Sequence, residues 1–341
     1  MSEPHTPRKR ARGGRGRPSA PDATPPDAPL FPSSGAVAET TAPAESLPRR
    51  VLLTGATGFI GSRILTELLD RGCQVVAVGR RPSAGDTREG VIRVSADILA
   101  DGWQRWCEGC EAAIHLVGII REIPRRGITF DRMHRQSTER VIAACHRFGI
   151  TRLVHMSALG ARPDAVTGYQ RSKWAGEEAV RASGLRWTVF RPSVVFGPGD
   201  GFTTSLAAPI RRLPVFPVFG DGRSRMQPVA VEEVAAAFVT ALGCAASEGR
   251  EIALGGPEPL AYDDVVRRTA AALGLRRTLL HLPLGISRVL VGLAGMLPSP
   301  PITRDQLTML LEESTCDVGP SRELFGLPVR RFEGPVWLRP R

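Results

Sequence analysis

Val51-Leu52-Leu53-Thr54-Gly55-Ala56-Thr57-Gly58-Phe59-Ile60-Gly61 is a short apolar strand that runs into a glycine-rich turn and then a helix. It reads as a dinucleotide-binding turn. Gly55 lets the chain reverse tightly, Gly58 brings backbone to a pyrophosphate with no side chain in the way, and Gly61 lets the helix lie close on the strand. Amide groups at the helix N-terminus then face phosphate. A glycine triplet alone would equally suit an ordinary turn, but here both flanks fit. Val51–Leu53 precede it, and Ile60, Ile64, Leu65, Leu68 and Leu69 follow at helical spacing until Arg71-Gly72.

Working outward, the chain of 341 residues is 42% apolar and 23% charged, which suits a globular protein of one or two domains. Residues 1–48 are rich in Pro, Ala and Arg, lack an apolar leader region, and are expected to be a disordered basic tail. The basic runs there do not specify a nucleic-acid ligand, because a solvated tail has the same composition. Six cysteines form no disulfide framework, which suits a cytoplasmic protein. Cys107-Glu-Gly-Cys110 has no second pair at zinc spacing. The longest apolar stretch, Leu282 to Leu297, is broken by Pro283, Ser287 and Arg288 and is too short to cross a bilayer. Ile286, Val289, Leu290, Leu293 and Leu297 share one helical face. That face either packs on its own domain or meets a partner or membrane surface.

From Arg50 onward, short apolar runs alternate with amphipathic helices, the pattern of an α/β doubly wound parallel sheet of Rossmann type. Strands are expected at 51–54, 74–78, 91–95, 112–117, 152–157 and 187–190, and helices at 132–148, 169–182, 231–242 and 262–273. An NAD(P)-binding domain over 49–192 would be followed, and interleaved, with a smaller substrate-covering lobe over 193–341. The second strand ends at Gly79-Arg80-Arg81 and lacks the carboxylate that holds an NAD ribose. Arg80 and Arg81 suit a 2′-phosphate, favouring NADP(H) over NAD(H), although a solvated arginine-rich turn would read the same. Asp97 is either an adenine contact or a loop cap. Leu116-Val117-Gly118 closes the fourth strand where such folds bind ligands.

Tyr169-Gln170-Arg171-Ser172-Lys173 places a phenol and an ammonium one helical turn apart. A phenol needs a neighbouring cation to exchange protons near neutrality. A bare YxxxK is often incidental, yet only two of the 45 basic residues are lysine, Lys9 and Lys173, and only two tyrosines occur. Ser157, ending the fifth strand, would orient the reacting oxygen, unless it is a plain turn hydroxyl.

Thr54 to Gly61, Ser157, Tyr169-x-x-x-Lys173 and Arg191-Pro192-Ser-Val-Val-Phe-Gly197 together resemble the extended and atypical short-chain dehydrogenase/reductases. Within them, His115-Leu-Val-Gly-Ile-Ile-Arg121, Phe196-Gly-Pro-Gly-Asp200, Gln227-Pro-Val-Ala-Val-Glu-Glu-Val234 and Pro301-Ile-Thr-Arg-Asp-Gln306 resemble the NAD(P)H-binding accessory subunit of respiratory complex I and its bacterial relatives. The resemblance implies Ser157, Tyr169 and Lys173 as catalytic residues. It implies Thr54, Gly55, Thr57, Gly58, Phe59, Ile60, Gly61, Leu116, Val117, Gly118, Lys173, Arg191 and Pro192 as cofactor contacts, alongside Arg80, Arg81 and Asp97.

The implied activity is hydride transfer between NAD(P)H and a carbonyl or secondary alcohol, on a small and lipophilic or quinone-related substrate. Nucleotide-sugar epimerase or dehydratase chemistry is the alternative; another is a non-catalytic NADPH-binding assembly protein of a respiratory or quinone-related complex. A peripheral membrane or respiratory-complex partner fits the last. His134 stands where extended members usually carry an asparagine, either to relay a proton or simply exposed. Leu213-Pro-Val-Phe-Pro-Val-Phe219 is either lobe core or the lining of a lipophilic pocket.

Overall fold

Strands rich in Val, Leu and Ile with no polar face must be covered on both sides, which only a parallel sheet between helix layers provides. The computed structural model, which describes residues 46–80, 88–295 and 302–334, has this arrangement. Most of the expected tail, Leu297 and Arg81 lie outside the described residues. Seven parallel strands run in the order β11-β6-β5-β4-β1-β2-β3, formed by β1 (Arg50–Thr54), β2 (Gln74–Gly79), β3 (Val91–Ser95), β4 (Ala112–His115), β5 (Arg152–Met156), β6 (Arg186–Pro192) and β11 (Arg250–Leu254). The order reverses between β1 and β4, and the crevice at their C-terminal edges is where ligands of such sheets bind.

Alternate residues of β1 feed opposite layers. Val51 and Leu53 pack with Ile64 and Leu68 of α1 (Phe59–Asp70) and with Val234 and Phe238 of α5 (Val231–Ala241). Leu52 instead meets Val141 and Cys145 of α2 (Ser137–Arg147) and Val180 of α3 (Gly168–Arg181). Buried Arg152 ties the sheet to its far edge through Thr188, Ser247 and the Ala241 carbonyl.

Past β6 come three short strand pairs: β7 (Val195–Phe196) with β10 (Val229–Ala230), β9 (Arg225–Met226) with β12 (Leu260–Ala261), and β8 (Val215–Phe219) with β13 (Thr278–Leu282). A third core packs Phe216 and Val218 against Leu206 and Ile210 of α4 (Gly201–Arg212) and Val265 and Val266 of α6 (Tyr262–Ala272). Of the Leu213–Phe219 stretch, Val215–Phe219 is thus a strand that sends Phe216 and Val218 into the lobe core, while Leu213 and Val215 stay exposed. Three short helices follow: α7 (Leu284–Ala294), α8 (Arg304–Leu311) and α9 (Gly319–Phe325).

Two features depart from expectation, and a third resolves an alternative that the sequence leaves open. The helix expected over 132–148 begins as a π-helical turn, Asp131–Gln136, before α2. Strand β11, drawn from the second half of the chain, completes the sheet beside β6. The apolar face of α7 points outward, with Ile286, Val289, Leu290 and Leu293 exposed.

Candidate active site

The turn after β1 is shaped by backbone contact. Gly55 is left-handed at φ 78°, and a Cβ there would meet Leu116 and Val117 backbone at 3.3 Å. At Gly61 a Cβ would lie 2.1 Å from the Gly55 carbonyl oxygen, so only glycine lets α1 start this close to β1. Thr57 and Gly58 are exposed at the crevice, and no side chain caps α1. The first turn of that helix, with no side-chain cap from the described residues, faces the crevice as a pyrophosphate site requires. Thr57 packs over Gly79, where a Cβ would be 3.3 Å from its hydroxyl. Phe59 and Ile60 are half-buried, and the Phe59 ring reaches toward Gly197. Gly118 is exposed, and a Cβ there would lie 3.4 Å from His134 and 3.5 Å from Lys173 Nζ.

Lys173 is buried and donates from Nζ to the Met156 carbonyl at 2.6 Å, which brings it beside Ser157. Ser157 is buried, and its Oγ has no partner among the described residues. A buried hydroxyl left unpaired is costly unless a ligand takes it, so this atom fits a substrate oxygen. Tyr169, partly exposed one turn before Lys173, meets the rings of Phe130 and His134 edge-on at 5.8 and 5.4 Å. Burial pushes its phenol up to about 12 and pulls the Lys173 ammonium down to about 8, the latter opposed by Glu177 one turn further along α3. Near pH 7 the pair is therefore a neutral phenol beside an ammonium.

His134 is buried rather than exposed. Its Nε2 accepts from the Ile119 amide at 3.0 Å, which leaves Nδ1–H to donate to Ser172 Oγ at 2.7 Å. Ser172 in turn donates to the Tyr169 carbonyl. Burial and Lys173 lower His134 to about 2, so it stays neutral and pins the loop after β4 to α3. The π-helical turn that carries it packs tightly on α3, where a Cβ on Gly176 would meet the His134 carbonyl at 3.0 Å. Ser172 and Glu177 were not singled out from the sequence, although their i+3 and i+8 offsets from Tyr169 place them near the same face.

Several candidates serve the fold with their side chains. Thr54 is buried and bonds His115 Nδ1 at 2.6 Å, beneath the site rather than in it. The Arg191 guanidinium, expected at the cofactor, is instead held by Glu177 at 2.5 Å and Glu251 at 2.7 Å and lies over the Trp174 ring. The two carboxylates reach it from neighbouring α3 and β11. Asp97 is exposed, and its Oδ1 caps the Leu99 amide at 2.9 Å, the loop-cap alternative. Pro192 is buried at the end of β6. Arg80 is exposed just past β2 with no partner among the described residues. Cys107 and Cys110 are buried free thiols, raised by burial to about 12 and about 11.

His115, His134 and His155 are all buried, and the Lys173 charge disfavours the protonated form of each. His115 stacks on His155 at 5.4 Å, and burial lowers His115 to about 3 and His155 well below its ordinary 6.5. For each, the unfolded chain binds a proton that the folded chain refuses, so this stability is complete above about pH 6.5 and is lost as pH falls below it. His155→Phe should flatten the fall in melting temperature between pH 7 and 5. Parallel slopes for variant and parent, measured by scanning calorimetry, would rule out His155 as a source.

A glycine turn at the switch point of a parallel sheet, with Ser157 just past the end of β5 and Tyr169 and Lys173 on helix α3 beside it, defines a dinucleotide-binding protein. Residues 51–255 match the NAD dependent epimerase/dehydratase family, and the chain belongs to that family. It is 31% identical over 236 residues to a ceramide reductase of Caulobacter vibrioides, covering 68% of this chain and 73% of that one. It is 30% identical over 214 residues to the mitochondrial NADH dehydrogenase [ubiquinone] 1 alpha subcomplex subunit 9 of Arabidopsis thaliana, covering 60% of this chain but only 53% of that subunit. Among solved structures, MoeE5 in complex with UDP-glucuronic acid and NAD superposes with a TM-score of 0.64 at 25% identity, over 84% of this chain and 97% of that one.

Proposed function

We propose that the protein is an NADP(H)-dependent reductase that converts a carbonyl on a lipophilic substrate to a secondary alcohol. The observation that carries this reading is the buried Ser157 hydroxyl, which has no partner among the described residues and lies next to the Met156 carbonyl that holds Lys173, one helical turn from Tyr169. The nicotinamide would supply the hydride. Ser157 Oγ would donate to the substrate oxygen and hold it at the strand edge. Tyr169, a neutral phenol, would give its proton to that oxygen as negative charge develops. Lys173 would stabilise the phenolate left behind and hold the ribose, while Gly58 and the first amides of α1 hold the pyrophosphate.

Two features support a lipophilic substrate. Ile120 and Ile123, in the loop after β4, and Val166, just before α3, are exposed at 56%, 40% and 68%. Apolar side chains bared on the two loops that carry the site suit an acyl chain better than a sugar. The Caulobacter relative is by name a reductase of a lipid. Steady-state NADPH consumption on long-chain ketones, quinones and nucleotide sugars tests the assignment, and conversion of a nucleotide sugar with no net consumption of cofactor would replace it with the epimerase reading. The Arabidopsis relative supports a second reading, a cofactor-binding protein without turnover that belongs to a respiratory assembly. It predicts a rise in melting temperature with NADPH and no consumption on any substrate.

NADPH is expected to bind more tightly than NADH, because Gly79 removes the ribose carboxylate and Arg80 offers a cation to a 2′-phosphate. Calorimetric titration should show Arg80→Ala losing about tenfold in NADPH affinity with NADH affinity unchanged. Equal affinities in the parent would contradict the assignment.

A further inference from the structure

We propose that helix α7 and the outer face of the β8/β13 ribbon seat the C-terminal lobe on an anionic phospholipid bilayer. Helix α7 touches the protein along a narrow seam, with Ser287 fully buried and Val291 exposed by only 2%. On the opposite side, Ile286, Val289, Leu290 and Leu293 are exposed at 52%, 61%, 45% and 60%. Those four positions follow the i, i+3, i+4, i+7 spacing of a continuous helical stripe, which a water-facing helix would fill with polar residues. Leu284 at the start of the helix and Leu280 in β13 extend the apolar surface. In the ribbon, Thr278 pairs with Val215 and Leu280 with Pro217, so Leu280 and exposed Val215 share its outer face.

The charge around this surface identifies the occupant. Residues 265–304 contain six arginines and no aspartate or glutamate, and residues 201–220 add Arg211 and Arg212 and again no acid. Of the six, Arg267 and Arg268 of α6 are ion-paired with Asp263, Asp264 and Glu258, and Asp263 also bonds His281 of β13. Arg211, Arg212, Arg276 and Arg288 are exposed and form no ion pair among the described residues. Guanidinium groups beside an apolar stripe match the headgroup and acyl layers of an anionic membrane surface. At 11 residues the helix cannot cross a bilayer, and none of the described helices is long and apolar enough to do so. It therefore lies along the surface.

The anchor is close to the site in the fold. Helix α7 packs on α8, and Asp305 of α8 approaches Gly168 at the start of α3, while Glu312 bonds Gln170 beside Tyr169. A lipid leaving the bilayer at α7 would meet the site across one intervening helix.

Vesicle co-sedimentation of the full chain tests this with phosphatidylcholine vesicles alone and with vesicles containing phosphatidylglycerol. The parent should partition onto the anionic vesicles more than about tenfold better than onto the neutral ones. Val289→Ser combined with Leu293→Ser, and separately Arg276→Gln combined with Arg288→Gln, should each lower that partition by about tenfold or more, with melting temperatures unchanged. Failure of the parent to sediment, equal partition onto both vesicles, or serine variants that sediment like the parent would overturn the proposal. So would a parent dimer in gel filtration that the serine variant dissociates, without vesicle binding, since the face would then belong to a second copy. None of these readouts uses catalysis, so the reductase reading stands or falls separately.

Discussion

Tyr169→Phe is expected to lower turnover by about 10² to 10⁴ while leaving NADPH affinity within about twofold of the parent. The substitution removes one oxygen from a ring that is otherwise held by Phe130 and His134, and the ring contacts survive it. The phenol makes no hydrogen bond to another described residue, so its loss leaves no orphaned partner and little change in stability. Stopped-flow NADPH consumption alongside calorimetry separates the two effects. A protein that uses its cofactor only for structure would show no change in either. A large stability loss would mean that the hydroxyl is part of the fold.

Gly61→Ala is expected to destabilise the protein by about 2–4 kcal/mol and to abolish cofactor binding with it. The added carbon would lie 2.1 Å from the Gly55 carbonyl oxygen and 3.0 Å from Ala56 Cα, both backbone atoms that cannot swing aside. Helix α1 must then lift off β1, which opens the packing of Ile64 and Leu68 on Val51 and Leu53. Gly58→Val is the informative contrast. Gly58 is exposed and its backbone is extended, at φ −72° and ψ 171°. A Cβ there would lie 3.2 Å from the Gly55 carbonyl oxygen, so the turn must give slightly, far less than at Gly61, while the side chain projects where a pyrophosphate must approach. It should keep much of the parent's melting temperature without NADPH and lose the increment that NADPH gives. Differential scanning fluorimetry of both variants with and without NADPH checks this.

The first strand, turn and helix were legible because the apolar period switches there from a continuous run to helical spacing around three glycines. The Tyr169 and Lys173 pair stood out through lysine scarcity. Local sequence could not say which other polar residues the fold would claim. Thr54 has the right place in the motif, but its partner is His115, 61 residues on, and Arg191 is claimed by Glu177 and Glu251 from two different elements. His134 was noticed as a substitution, yet its fixed tautomer depends on an amide and a hydroxyl supplied by a loop and by α3. For α7, periodicity defined an apolar face and left open which way it points. Only the seam at Ser287 and Val291 shows that the helix turns its stripe outward.

The most direct measurement of the central claim is deuteride transfer from C4-deuterated NADPH to a long-chain ketone, followed by mass spectrometry of the recovered lipid. The reductase account predicts a lipid alcohol carrying one deuterium on the former carbonyl carbon, formed in step with oxidised cofactor and depleted at least about 10²-fold with Tyr169→Phe. Unlabelled ketone recovered intact from a protein that binds NADPH, and the same result across quinones and other lipid carbonyls, would contradict it.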